Sequence, residues 1–175
     1  MLLANIYVGQ RLTQWRPGRD LDDTYSAQSV LGGGVLRDLS HELDYALWLF
    51  GLPVKLASLV ANHEALGIQA EESATILYQT LSGANVCVHL NYLDHQVRRD
   101  VAVQTAEHTY DLNLLSGQLL KDGVCIESAR PDAYQKQLAG LQAKDFSQFC
   151  SYAESLTIMN FIEEIERNNM AGPKT

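Results

Sequence analysis

Hydrophobic and polar residues alternate with a period of two through the middle of the chain, which is the pattern of half-buried antiparallel strands. The alternation is clearest over residues 85–92, where every second position is a valine, a leucine or a tyrosine. Other apolar runs predict strands over 4–12, 55–61, 73–81, 101–103, 110–114, 118–120 and 124–127. Asp122-Gly123 separates the last two runs and favours a two-residue hairpin turn.

The period changes to that of an amphipathic helix before and after the main run of strands. Residues 35–50 place four leucines and a phenylalanine on one stripe, and Gly51 and Pro53 follow as helix-ending residues. Helical spacing returns over residues 132–167. Because helices flank the strands without β-α-β alternation, the sequence predicts an α+β fold, with a mostly antiparallel open sheet and helices packed on one face.

The other face of this sheet is predicted to carry polar and small residues, namely Asn85, Cys87, His89 and Asn91. Two alternatives remain open for that face: it is solvated, or it pairs with another subunit. Residues 1–167 are predicted to form one domain. The final segment, 168–175, has little to bury and is predicted to be a flexible tail.

The charge, the apolar runs and the cysteines of the chain indicate which classes of partner it can have. The 175 residues include 13 Lys and Arg against 21 Asp and Glu, so the net charge is −8, and such a surface repels phosphate backbones. No apolar run approaches the roughly 18 residues that a membrane helix needs. Three cysteines without metal-ligand spacing indicate a reducing compartment. We therefore expect a cytoplasmic domain with neither a nucleic-acid partner, nor a membrane partner, nor a metal site.

The polar side of the first long helix carries candidate acid/base chemistry. Asp38, His41, Glu42 and Tyr45 fall opposite the leucine stripe and lie three or four residues apart, within mutual reach. A histidine beside a carboxylate can act as a general acid/base at neutral pH. The alternative is an exposed helix face without function. Three glycines at 32–34 precede the helix and permit the close approach of a ligand or of another chain segment.

The loop before this helix contains Trp15 and Arg16. A tryptophan can stack on a sugar ring and an arginine can hold a carboxylate or hydroxyls through two hydrogen bonds. The alternative is a tryptophan that anchors the loop, with Arg16 as a surface ion-pair partner. The glycines at 32–34 do not form G-x-G-x-x-G, so no nucleotide site is predicted in this chain.

The segment 7–51 resembles the beginning of the C-terminal domain of the Gfo/Idh/MocA oxidoreductases, which are NAD(P)-dependent sugar and cyclitol dehydrogenases. The shared motifs are W-R-P at 15–17, Y-S-A at 25–27, G-G-G at 32–34, the Asp, His and Asp that follow, and W-L-x-G at 48–51. The resemblance implies a substrate-binding and oligomerisation domain that is separated from its N-terminal dinucleotide-binding Rossmann domain. It also implies NAD or NADP in the full-length parent and no cofactor site in this chain.

The resemblance assigns catalytic roles to Asp38 and His41. His41 is the implied acid/base at a sugar or polyol carbinol, and Asp38 orients it or contacts the substrate. Trp15, Arg16 and Tyr45 are the predicted substrate-binding residues. The family usually has three residues between this Asp and His, whereas Asp38 and His41 are separated by two, so the shortening lies near the helix start.

The family also forms dimers and tetramers through the open face of the sheet, which favours pairing over solvation there. The chain alone is expected to be catalytically inactive, because the cofactor and the lysine of the family's Glu-Lys-Pro motif are missing from it. The alternative function is a free-standing, non-catalytic binding or assembly module.

Overall fold

Eight strands form one sheet in the computed structural model of the protein, which describes residues 1–15, 17–129, 132–147 and 149–170. In chain order they are β1 (Leu3–Gly9), β2 (Pro53–Ala61), β3 (Ser73–Thr80), β4 (Asn85–Asn91), β5 (Arg98–Gln104), β6 (Thr109–Asn113), β7 (Gln118–Lys121) and β8 (Val124–Ser128). Their order across the sheet is β2-β3-β4-β1-β5-β6-β7-β8. The α+β fold class and the mostly antiparallel sheet are therefore confirmed.

One neighbouring pair in the sheet departs from the antiparallel pattern. β1 lies between β4 and β5 and runs parallel to β4 but antiparallel to β5. Since β1 separates two strands of opposite direction, it must be parallel to one of them. The prediction of an antiparallel strand over residues 85–92 is thus confirmed on the β3 side and wrong on the β1 side. The parallel pair brings the carboxyl ends of β1 and β4 to the same edge of the sheet.

The described residues form five α-helices, which are α1 (Leu12–Trp15), α2 (Val35–Asp38), α3 (Ser40–Phe50), α4 (Ala133–Ala143) and α5 (Tyr152–Met170). Helices α2, α3 and α5 pack on one face of the sheet over β1 to β4. Leucines of the predicted stripe are buried there against the inward side chains of β4, as Leu36 and Leu43 show. This apolar layer is the core of the protein.

The single helix predicted over 35–50 is interrupted at Leu39. Its backbone dihedrals, φ −103° and ψ 23°, leave the helical region, so α2 ends at Asp38 and α3 begins at Ser40. The leucine stripe nevertheless stays buried on both sides of the break. Glu42 is buried completely as well, because it lies at the margin of that stripe, so its assignment to the polar side of the helix is wrong.

The glycine triplet is used for packing within the chain. Gly32 ends a short 3-10 turn in the left-handed conformation, with φ 77°. Gly33 is covered by the backbone of Tyr25 and Ser26, and Gly34 lies against the carboxylate of Glu71, so that neither position has room for a side chain. The space that the missing side chains of Gly33 and Gly34 leave is thus filled by other loops of the same chain and not by a ligand.

A second loop, between β2 and β3, holds Glu71 in that position. The neighbouring Glu72 is fully buried and accepts hydrogen bonds from the backbone N–H groups of His63, Ala65 and Leu66, at 2.8, 3.2 and 2.6 Å. Glu71 in turn accepts a hydrogen bond from the Leu36 N–H at 3.1 Å. The two carboxylates therefore fix the loop and connect it to the first turn of α2.

Local details confirm one prediction and correct two others. The turn between β7 and β8 is confirmed, with positive φ at both Asp122 (50°) and Gly123 (79°), as a type I′ hairpin requires. β1 ends at Gly9 and not at residue 12, because the chain turns into α1 there and the Leu12 N–H bonds to the Tyr92 carbonyl at 3.1 Å. The predicted tail begins too early, since α5 continues to Met170.

The end of α5 is held by the edge of the sheet. The Asn169 side chain accepts a hydrogen bond from the Val60 N–H at 3.0 Å and donates one to the Ser58 hydroxyl at 2.8 Å. These bonds to β2 explain why residues 168–170 remain helical. The rest of the predicted tail, 171–175, lies outside the described residues. No helix in the described ranges has the length and apolar character needed to span a bilayer.

Candidate functional site

A cleft of about 240 Å³ opens at the edge of the sheet where β1 and β4 end. Gly9 is the last residue of β1 and Asn91 is the last residue of β4, and the parallel pairing of the two strands brings these ends together. Arg98 and Arg99, at the beginning of the antiparallel β5, lie at the same edge. The first turn of α3 covers the cleft from the helical side, so four separate chain segments contribute to one site.

His41 enters this cleft from the start of α3. About half of its side chain is exposed (52%), and its Nε2 lies 3.0 Å from the Oε1 atom of Glu42. A partly exposed imidazole beside a carboxylate can exchange a proton with a bound ligand. His41 therefore has the geometry expected of an acid/base group, but its carboxylate neighbour is Glu42 and not Asp38.

Glu42 forms the charged floor of the cleft. Its side chain is fully buried, and the Nη2 atom of Arg99 lies 2.7 Å from Oε1. His41 and Arg99 both lie close to Oε1, but the angles of these contacts fall short of hydrogen-bond geometry. Burial acts to raise the pKa of the Glu42 carboxyl, but His41, Tyr45 and Arg99 outweigh it and leave the pKa below its ordinary value. The carboxylate is therefore ionised at neutral pH.

Tyr45 lies behind Glu42, one turn further along α3. Burial, followed by the charge of Glu42, raises the pKa of the Tyr45 phenol. The phenol therefore remains protonated, as a donor facing the carboxylate. Tyr45 also lines a second depression, between α3 and the segment before α5, where Trp48 and Phe149 are its neighbours.

Asp38 is connected to the cleft through Tyr92. The Tyr92 hydroxyl donates a hydrogen bond to Asp38 Oδ2 at 2.8 Å, while the Tyr92 ring lines the cleft. Burial and then the charge of Asp38 raise the pKa of Tyr92, so this hydroxyl remains a donor. The Trp15 ring lies 6.2 Å from the Tyr92 ring and contributes a second aromatic surface to the cleft.

The described residues among the five predicted site residues thus differ in how close they lie to the cleft. Trp15 and His41 line the cleft, whereas Asp38 and Tyr45 reach it through Tyr92 and Glu42. Arg16 lies outside the described residues. The catalytic and substrate-binding roles of all five remain predictions.

The cleft is also lined by residues to which the sequence analysis assigned no site role, among them Glu42, Tyr92, Arg98 and Arg99. Glu42 was noted only as a member of the polar helix side. The consecutive arginines were the available signal: in a strand, neighbouring side chains point to opposite faces, so one of the two must face the helical layer. Arg99 does so beside Glu42, while the Arg98 guanidinium lies over the Tyr7 ring, 4.0 Å from its centroid.

The described residues show no arrangement that suits a metal ion or a nucleotide phosphate. Among them, no three His, Cys, Asp or Glu side chains are grouped to hold a metal. Gly33 and Gly34 are occupied by Tyr25 and Glu71, so the start of α2 is not open to a phosphate. The side chains that do line the cleft, His41 above all, are suited to proton transfer and to hydrogen bonding with a polar ligand.

Comparison with known proteins identifies the family. A sequence model of the GFO/IDH/MocA C-terminal domain matches residues 6–110, which is more than half of the chain. The chain belongs to this family. No curated protein matches it.

Solved structures share the fold of this GFO/IDH/MocA domain at low sequence identity. The aldose-aldose oxidoreductase from Caulobacter crescentus, complexed with glycerol, matches 98% of the chain with a TM-score of 0.79 and 17% identity, over 54% of its own chain. The UDP-N-acetylglucosamine 3-dehydrogenase GnnA from Acidithiobacillus ferrooxidans matches 97% with a TM-score of 0.72 and 14% identity, over 53% of its own.

A third structure is the WlbA dehydrogenase from Bordetella pertussis, in complex with NADH and UDP-GlcNAcA. It matches 98% of the chain with a TM-score of 0.69 and 17% identity, over 53% of its own chain. The GFO/IDH/MocA domain described here therefore spans about half the length of the solved structures that it matches.

Proposed function

We propose that this GFO/IDH/MocA domain is the substrate-binding and oligomerisation part of an NAD(P)-dependent oxidoreductase that acts on a sugar or a related polyol. The observation that carries the proposal is the cleft at the ends of β1 and β4, where the half-exposed His41 stands above the buried, ionised Glu42. Structural neighbours crystallised with glycerol or with NADH and a nucleotide sugar support the substrate class.

Within this proposal the chain's residues bind the substrate and move one proton. His41 accepts the proton of the carbinol O–H as the carbon–oxygen double bond forms. A nicotinamide cofactor, held by a second domain, would supply the hydride acceptor for the same carbon. Trp15 stacks on the sugar ring at the wall of the cleft.

A second domain is needed to hold the cofactor. The close packing of Gly33 and Gly34 leaves no phosphate cradle at the start of α2, and the solved neighbours are nearly twice as long as this chain. Helix α4 supports the same view, since it buries none of its residues and exposes Tyr134, Leu138 and Leu141. A helix of this length is not stable by itself in water. We infer that the dinucleotide-binding domain covers it in the complete protein.

We expect no dehydrogenase turnover from the 175-residue chain with NAD or NADP, and turnover of at least one sugar or polyol once a dinucleotide-binding domain of the same family is joined to it. The assay is a panel of sugars followed by NAD(P)H absorbance. Hydrogen exchange gives a second readout, in which α4 amides exchange rapidly in the isolated chain and become protected in the joined protein.

The isolated chain and the isolated dinucleotide-binding domain are the controls. Turnover by the isolated chain would contradict the proposal. A correctly folded joined protein that binds the cofactor but oxidises no member of the panel would contradict it as well, and would favour the non-catalytic assembly module.

The open face of the sheet is the proposed oligomer interface. It carries the exposed apolar side chains of Leu59 and Leu77 beside the smaller Cys87, with no helix of the described residues packed over them. Two such faces can pack against each other as sheets do in a sandwich.

The three unpaired cysteines also suit the reducing, cytoplasmic location that we propose.

We expect the chain to sediment as a dimer or a larger oligomer and Leu77→Glu to dissociate it, because the substitution would bury a carboxylate between two sheets. Leu81→Glu is the matched control, since Leu81 is 89% exposed in the turn after β3. Sedimentation velocity measures the state. A monomeric wild-type chain, or a Leu77→Glu variant of unchanged mass, would exclude this interface.

A further inference from the structure

We propose that Glu42, fixed by Arg99, is a positioning residue for His41, holding the imidazole with its proton on Nε2 and leaving Nδ1 to accept the proton of the substrate. The proposal rests on the acid/base role of His41 proposed above. It gives the orienting function, which the sequence suggested for Asp38, to a different carboxylate.

The distances place Glu42 between the imidazole and a fixed cation. Its Oε1 atom lies 3.0 Å from His41 Nε2 and 2.7 Å from Arg99 Nη2. The Glu42 side chain is fully buried, whereas His41 is half exposed. The carboxylate is therefore covered at the bottom of the cleft, and His41 is the group through which it acts on a bound substrate.

Arg99 is held in place by the sheet. It pairs with Val8 in the register of β1 and β5, which puts its guanidinium on the helical side of the sheet next to α3. A buried carboxylate remains ionised only where a cation or donors compensate its lost hydration. Arg99 supplies that compensation here, and the Tyr45 phenol adds a donor from within α3.

The ionised state of Glu42 determines which tautomer of His41 fits. At 3.0 Å from a carboxylate oxygen an N–H group is attracted and a nitrogen lone pair is repelled, so the nitrogen that faces Glu42 must carry the proton. That nitrogen is Nε2, and in the neutral ring Nδ1 then has the free lone pair. When Nδ1 takes a proton, the ring becomes a cation that Glu42 stabilises, while Arg99 opposes transfer of the proton onward to Glu42.

Asp38 does not compete for this role. Its Oδ2 atom accepts the hydrogen bond of the Tyr92 hydroxyl at 2.8 Å. The interruption at Leu39 separates Asp38 in α2 from His41 in α3. Asp38 and Tyr92 therefore form a pair of their own at the wall of the cleft.

The test is nitrogen NMR of the His41 ring in the 175-residue chain. The histidines carry a nitrogen label, and the spectrum is recorded at a pH at which the ring is neutral. His41→Gln identifies the resonances. We expect the wild-type ring to be the Nε2–H tautomer. In Glu42→Gln the Nε2–H population should fall to the smaller excess that a free neutral histidine has, and the two ring nitrogens should shift toward each other, because a carboxamide both accepts and donates and tolerates either tautomer.

Asp44→Asn is the matched control, because Asp44 is a carboxylate on the same helix that lines the second depression. It should leave the ring spectrum unchanged. An Nδ1–H tautomer in the wild type overturns the proposal even if Glu42→Gln fails to fold, and an unchanged spectrum in a folded Glu42→Gln overturns it too. The measurement needs no turnover, so an inactive joined protein would refute the proposed function without affecting this result.

Discussion

His41→Ala is expected to lower kcat by about 10²–10⁴-fold in the protein joined to a dinucleotide-binding domain, because the carbinol proton then has no acceptor in the cleft. KM should change much less, since Trp15 remains to hold the substrate. The measurement is steady-state oxidation of whichever sugar of the panel is turned over. Sheet assembly should be unaffected, as His41 lies on the helical side, away from the open face.

His63→Ala is the control for this substitution. His63 is a histidine of the loop between β2 and β3, where its ring bonds the Ser73 hydroxyl at 2.8 Å, outside the cleft. The His63→Ala variant should retain the kcat of the wild-type protein. An active His41→Ala variant would show that the acid/base group lies elsewhere, and the roles proposed for His41 and Glu42 would both be withdrawn.

The second large effect concerns stability. Gly33→Ala is expected to reduce the free energy of unfolding by about 4 kcal/mol or more, because a methyl group there would overlap the backbone of Tyr25 and Ser26. Relief by a small shift is opposed by the hydrogen bonds of this loop, in which the Gly33 N–H bonds to the Gln28 carbonyl at 3.0 Å and the Gly34 N–H to the Ser26 carbonyl at 3.1 Å. Urea denaturation of the isolated chain measures the change.

Gly32→Ala is the matched control in the same triplet. Gly32 has φ 77° and open space around it, so alanine meets backbone strain but no steric overlap. That strain costs about 1–2 kcal/mol. Equal losses for the two variants would mean that the triplet serves only backbone conformation, and the explanation by close packing at Gly33 would be wrong.

The strands were predictable because a strand half-buried in a sheet must alternate apolar and polar residues wherever it lies. Residues 85–92 show this, since Val86, Val88 and Leu90 are all fully buried. The leucine stripe of the first helix was predictable for the same reason, with a period of 3.6 in place of 2. The Asp122-Gly123 turn was predictable because few residues tolerate the positive φ that it requires.

The candidate site was predictable only in part. His41 and Trp15 were found from their chemistry and from the family motifs, and both line the cleft. Arg99 and Tyr92 were not found, because nothing in a local pattern tells which residues of a strand will stand beside a helix that is distant in sequence. Glu42 was misplaced, because helical spacing puts it at the margin of the leucine stripe, where a local pattern does not show whether packing will cover the residue.

By itself the sequence determined the period of each element, the side of each element that is apolar, and the family to which the chain belongs. The tertiary structure decided that β1 enters the sheet between β4 and β5, and that Arg99 thereby reaches Glu42 beneath His41. The physical reason is that apolar burial is encoded residue by residue, whereas a buried carboxylate is tolerated only where the assembled fold brings a cation to it.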